Sequence, residues 1–105
     1  MKNPEELIHY EFNFQVFLFS YQTEFSQSKI IENILDACKN ADVDVAEIKI
    51  VKIPHRYEAK LWLGVGEDIE KNEDPIEKLE EYEKKIIKAF DGEFDGVDIL
   101  KSELE

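Results

Sequence analysis

Between Tyr10 and Tyr21 the chain passes from one kind of strand to another, and that change limits what the whole molecule can be. The segment Tyr-Glu-Phe-Asn-Phe-Gln-Val-Phe-Leu-Phe-Ser-Tyr puts Phe12, Phe14, Val16 and Leu18 on one face and Glu11, Asn13 and Gln15 on the other. Such alternation is the period of a half-buried strand. From Phe17 onward the second face turns apolar too, through Phe17, Phe19 and Tyr21. A strand apolar on both faces is central in its sheet, or has its second face covered.

The period then switches. Ile30, Ile34 and Cys38 fall on one helical line with Ile31 and Leu35 beside them, which predicts a helix over 26–41. Ser26 stands where an N-cap belongs, with Phe25 and Ile30 at the staple positions around it. Residues 45–53 and 57–66 read as a hairpin turning at Pro54-His55-Arg56. In its first strand Ile48 and Ile50 share a face while Val51 and Ile53 fall out of phase, so a bulge is expected near Ile50-Val51. Residues 66–73 are polar and read as a linker. Asp74-Pro75-Ile76-Glu77 opens a second helix, with Asp74 as cap, Pro75 in the first helical position and Glu77 at the capping-box position. Its apolar stripe is Ile76, Leu79, Ile86, Ile87 and Phe90, with Tyr82 at the edge. Gly92 suits the C-terminal cap, and 97–101 reads as a last short strand.

Strand, helix, strand, strand, helix, strand is the order of the ferredoxin-like βαββαβ sandwich, an α+β fold with an antiparallel sheet carrying two helices on one face. At 105 residues the chain is read as a single domain, 1–105. That topology leaves one sheet face open. Phe17, Phe19, Tyr21 and Trp62 are expected there, with Leu100 beside them, forming either a protein interface or a surface covered by the N-terminal segment or the 67–73 linker.

Charge bears directly on function. There are 25 acidic against 13 basic residues, a formal net charge of −12. It is uneven: residues 1–66 carry ten acids and seven bases, residues 67–105 fifteen and six. Such a field repels nucleic acid and anionic membrane and draws basic surfaces. Aromatic side chains on an open ferredoxin-like face stack bases in RNA binders, but no basic stripe is evident around them here and direct nucleic-acid binding is not expected. Glu67, Asp68, Glu70, Glu73, Asp74, Glu77, Glu80 and Glu81 form the acidic surface expected to meet a partner.

Catalytic patterns are missing. His9 and His55 have no Cys or second His at metal-ligand spacing. Cys38 lies on an apolar helical line, which suits a core thiol better than a nucleophile. Asp91-Gly92-Glu93-Phe94-Asp95-Gly96-Val97-Asp98 has the look of a calcium loop, but its twelfth position is Ser102 and a strand follows, so it reads as an acidic turn. Arg56 is the single arginine, and no phosphate-cradling glycine loop exists. No enzyme activity, catalytic residue, metal or cofactor is expected. The lone cysteine and the lack of a signal-like apolar run in 1–6 predict a cytoplasmic protein.

The ending Ile99-Leu100-Lys101-Ser102-Glu103-Leu104-Glu105 resembles the endings of some small acidic phage-encoded anti-CRISPR proteins, inhibitors of Cas9. The resemblance covers about seven residues and carries over no functional residue. It implies an acidic surface that occupies a nucleic-acid channel, such as the site that reads the PAM. The expected function is therefore that of a non-enzymatic inhibitor or adaptor. It binds a basic nucleic-acid-binding protein, a CRISPR effector in the case the resemblance names, by imitating nucleic acid. The alternative is a ferredoxin-like homodimer that holds a ligand or regulates an enzyme through Phe17, Phe19, Tyr21 and Trp62.

Overall fold

The computed structural model describes residues 6–105, so the reading of residues 1–5 lies outside the described residues. The elements are β1 (Leu7–Ser20), α1 (Gln27–Asn40), β2 (Asp44–Ile53), β3 (Arg56–Glu70), α2 (Pro75–Phe90) and β4 (Gly96–Leu104). The strands make one antiparallel sheet in the order β2-β3-β1-β4. This is the ferredoxin-like α+β fold.

The two-period pattern of β1 explains its central place. Phe12, Phe14, Val16 and Leu18 are all buried, opposite Val65, Leu63, Leu61 and Ala59 of β3. Ile30, Ile34, Ala37 and Cys38 of α1, with Tyr82, Ile86 and Phe90 of α2, close the core from the helical side. Tyr82 is a core residue rather than an edge one, its ring 5.7 Å from that of Phe12. Ile76 and Ile87, placed on the same stripe by sequence, stay exposed. Ser26 Oγ accepts from the Lys29 N–H at 3.1 Å, and Asp74 Oδ1 accepts from the Ile76 N–H at 2.9 Å, so both expected caps are made. Beyond α1, Asp42 takes the left-handed conformation at φ 59°. The Val43 N–H then reaches the Cys38 carbonyl at 3.1 Å and the Asp42 N–H reaches that of Lys39 at 3.2 Å, which satisfies two orphan acceptors.

Four boundaries differ from the sequence reading. β1 begins three residues early, and Tyr21 falls just past its end. The segment read as a linker is strand: β3 continues to Glu70, because β1 extends back to Leu7 and offers it partners. The bulge in β2 sits at Ala46, between the Val45 and Glu47 pairings, not at Ile50-Val51. Ile48 and Ile50 face the helices, while Val51 and Ile53 lie on the open face, so two apolar faces had been taken for a slip in register. β4 runs to Leu104 with Leu100 as the extra residue of a second bulge, again longer than expected.

The strands outrun the helices. At roughly 3.3 Å per residue β3 spans about 50 Å, whereas α2 at 1.5 Å per residue covers about 24 Å. The molecule is accordingly 55 Å long and about 20 Å across, and the paired ends of β1 and β3 project as an arm.

Candidate functional site

The arm is where the carboxylates gather. Leu7 pairs with Glu70, His9 with Asp68, Tyr10 with Glu67 and Glu11 with Gly66. The Lys71 N–H donates to the Glu6 carbonyl at 2.8 Å, and Glu11 and Glu105 exchange backbone hydrogen bonds of 2.9 and 2.8 Å. Glu6, Glu11, Asp68, Glu70 and Glu105, distant in sequence, thereby share one pole with Glu73 and Asp74 of the next turn and Glu77 in the first turn of α2.

The structure does not gather all eight acids predicted for this surface. Glu67 points to the helical side, where it accepts the Tyr82 hydroxyl at 2.6 Å and lies 3.3 Å from Lys78 Nζ. Burial, and then this bond, push the Tyr82 hydroxyl well above its ordinary range. Glu67 is thus an internal tether. Asp68 and Glu70 emerge on the opposite, open side of the sheet. Glu80 and Glu81 lie further along α2, with Glu81 3.6 Å from Lys78. Residues 75–90 hold four Glu and four Lys, so α2 itself is charge-balanced. The acidic feature is a pole at the end of the arm, not a row along a helix.

Sequence reasoning left His9 alone, and the arm gives it two partners. Its Nε2 lies 2.7 Å from Glu11 Oε1 and its Nδ1 2.8 Å from Asp68 Oδ1. Hydrogen bonds from Glu11 first, then Asp68, raise its pKa above 6.5. A raised folded-state value means that the ion pairs contribute fully below the unfolded value and are lost as pH climbs through the folded one. A proton titration followed by NMR should therefore find His9 half-charged above pH 6.5, and Glu11→Gln with Asp68→Asn should bring the midpoint down. An unshifted midpoint in the intact protein would show that the two carboxylates do not hold the ring.

The open face carries the other candidates. Phe17, Phe19 and Trp62 do point away from the helices and are half-buried; Tyr21 is 56% exposed. Phe19 stacks edge-on against Tyr21 at 5.6 Å and lies over Gly96, where any Cβ would come within 2.0 Å of its ring. The 67–73 segment does not cover this face, because residues 67–70 extend β3 instead; the N-terminal segment expected there includes residues 1–5, which lie outside the described residues. The face is also more basic than the sequence suggested. Arg56 lies 4.5 Å from the Phe19 ring centre, and Lys49 and Lys60 lie 5.3 and 5.4 Å from that of Trp62. These three and Lys101 come from three strands, and only the register brings them together. Lys60 was legible, since it sits two residues before Trp62 on the same strand face.

Among the described residues no group of three or more His, Cys, Asp or Glu is placed to hold a metal ion, and no helix is long and apolar enough to cross a membrane. No protein-family model matches the chain, and no curated protein matches it in sequence. Solved structures with a similar chain path include the de novo designed protein Foldit4, at 18% identity, TM-score 0.48, covering 89% of this chain and 96% of that one. An unknown protein from Galdieria sulphuraria is similar at 11% identity and TM-score 0.48, over 93% of this chain and 46% of that one. The regulatory subunit of aspartate kinase from Thermus thermophilus is similar at 14% identity and TM-score 0.48, over 95% and 56%. No functional reading rests on these likenesses.

Proposed function

We propose that this chain is a non-catalytic binding module. It docks its acidic pole on the basic, nucleic-acid-binding surface of a cytoplasmic partner protein and competes there with nucleic acid. The observation that carries the reading is the β1–β3 register, which collects Asp68, Glu70, Glu6, Glu11 and Glu105 on one projecting arm beside Glu73 and Glu77. A molecule only about 20 Å across, with carboxylates gathered at one pole, can enter a groove built for a polyanion. Cas9 with its guide RNA, named through the tail resemblance, is the first partner to try.

Immobilised protein should retain Cas9–guide complex at 50 mM salt, release it when duplex DNA bearing a PAM is added, and lose it at 500 mM salt. Exposed charges are screened beyond about 10 Å at 0.1 M salt, which makes the loss steep. The same assay on whole-cell lysate extends the test to other basic proteins. Reversing Glu70, Glu73 and Glu77 to Lys should weaken retention about a hundredfold or more. Binding that survives both salt and reversal overturns the reading.

A second reading is favoured by one corner of the open face, where Tyr21, Val51 and Ile53 are exposed beside Phe19. It is a homodimer built on that corner, with Phe17 and Trp62 at its margin. Sedimentation at high concentration decides it, because a strict monomer excludes such a dimer.

A further inference from the structure

The ladder between β2 and β3 sets Lys49 directly opposite Lys60. Like charges directly opposite one another destabilise a strand pair, and in a chain with 25 carboxylates the arrangement calls for a reason. The other cations of this face are neutralised: Arg56 Nε donates to Glu58 Oε2 at 2.9 Å, and Lys101 Nζ lies 2.6 Å from Glu103. Among the described residues neither Lys49 nor Lys60 has a carboxylate within ion-pair distance; both ammoniums rest over the Trp62 ring.

Beside that ring the face sinks into a depression of about 340 Å³, lined by Trp62, Asn13, Gln15 and Lys101 among others. Gly64 lies opposite Asn13 in the ladder, and a Cβ there would come within 3.2 Å of Asn13 Oδ1, so the glycine leaves room for that carboxamide. The volume is at the small end of the range for ligand sites.

We propose that this is a binding site for a mononucleotide-class ligand, a planar ring bearing one phosphate. The phosphate sits between Lys49 and Lys60 and relieves their repulsion. The ring stacks on the indole that the two ammoniums vacate, and the carboxamides of Asn13 and Gln15 each offer a donor and an acceptor to its edge. The surrounding acids set the size of the ligand. Glu47 pairs with Trp62 in the ladder and Glu103 lines the depression, so a longer polyanion meets repulsion on both sides while a single phosphate meets the two lysines. The site adjoins the acidic pole, since Glu105 lines the depression together with Glu103, but its ligand and its test are its own.

Trp62 is the only tryptophan, so its fluorescence reports the site directly. In phosphate-free buffer, adenosine monophosphate should quench it saturably. Adenosine alone and inorganic phosphate alone should each bind at least about tenfold more weakly, since each makes half of the contacts. Lys49→Gln with Lys60→Gln, at one exposed and one partly buried position outside the core, should weaken the nucleotide about tenfold and leave adenosine unchanged. Amide shifts at 49, 60 and 62, read by NMR, tie the effect to this face. Failure of adenosine monophosphate, guanosine monophosphate and uridine monophosphate alike to cause a saturable change overturns the proposal. So does equal binding of adenosine and its monophosphate. A single-stranded oligonucleotide that binds about a hundredfold tighter than the monophosphate also overturns it, in favour of a strand-binding face.

Discussion

Phe12→Ala is expected to lower the unfolding free energy by about 3–5 kcal/mol, a large part of what a domain of this size has. Phe12 is fully buried at the crossing of the two long strands, opposite Val65 on β3 and Leu104 on β4, with the Tyr82 ring above it. Truncation removes a whole ring and leaves a hole that two sheet neighbours and a helix cannot fill without moving. Phe17→Ala, on the same strand but the other face, should cost only about 1 kcal/mol, since its ring is half-exposed and packs chiefly on Phe19 at 6.4 Å. Denaturant midpoints for the two variants, with unchanged slopes, give the comparison. Equal losses would mean that the open face is covered in solution, and the interface readings would then have to begin from whatever covers it.

The second large effect concerns Cys38. It is 1% exposed on the inner line of α1, and burial pushes its thiol up to about 12. An aromatic disulfide reagent reacts with thiolate, so native protein at pH 8 should react at least about a thousandfold more slowly than protein unfolded in guanidinium. What reactivity remains should rise in proportion to the open population, so Phe12→Ala should speed it by the same factor by which it lowers stability. Because the folded-state value lies above the unfolded one, the thiol's contribution is intact below about pH 8.5 and disappears as pH climbs toward 12. Rapid labelling of the native protein would contradict the burial of α1 against the sheet.

The elements were legible wherever a local rule fixed them. Ser26 and Asp74 with Pro75 announced both helix starts, and the strict alternation at Phe12, Phe14, Val16 and Leu18 announced the core strand. What could not be read was whatever depends on register. Residues 67–70 carry three carboxylates around Ile69 and look like loop; they are strand only because Leu7–Tyr10 lie alongside. The same ignorance of register hid the His9–Glu11–Asp68 contact, the Lys49–Lys60 pair and the inward turn of Glu67. Charge counting along the chain ran one acidic surface from Glu67 to Glu81, whereas the fold turns Glu67 inward, balances α2 and brings Glu6, Glu11 and Glu105 beside Asp68 and Glu70. The acids themselves were visible in the sequence; their arrangement in space was not.

The place of β1 has a consequence for how the protein is made. It is an inner strand, third from the β2 edge and second from the β4 edge, yet it precedes the other three in the chain, and each of its partners lies far ahead in the sequence: Phe12 waits for Val65 on one flank and Leu104 on the other. Loop closure over such distances is entropically slow, and β-rich chains joined by distant contacts fold slowly for that reason. Until β3 is available, Phe12, Phe14, Phe17 and Phe19 form a sticky ribbon with no edge to join. From Glu24 to Gly66 seven acids face six bases, so the stretch after β1 adds almost no net charge and the acidic excess comes only from residue 67 onward. The ribbon therefore has little charge beside it while it waits for β3, and aggregation on refolding should rise with protein concentration most steeply before that pairing forms.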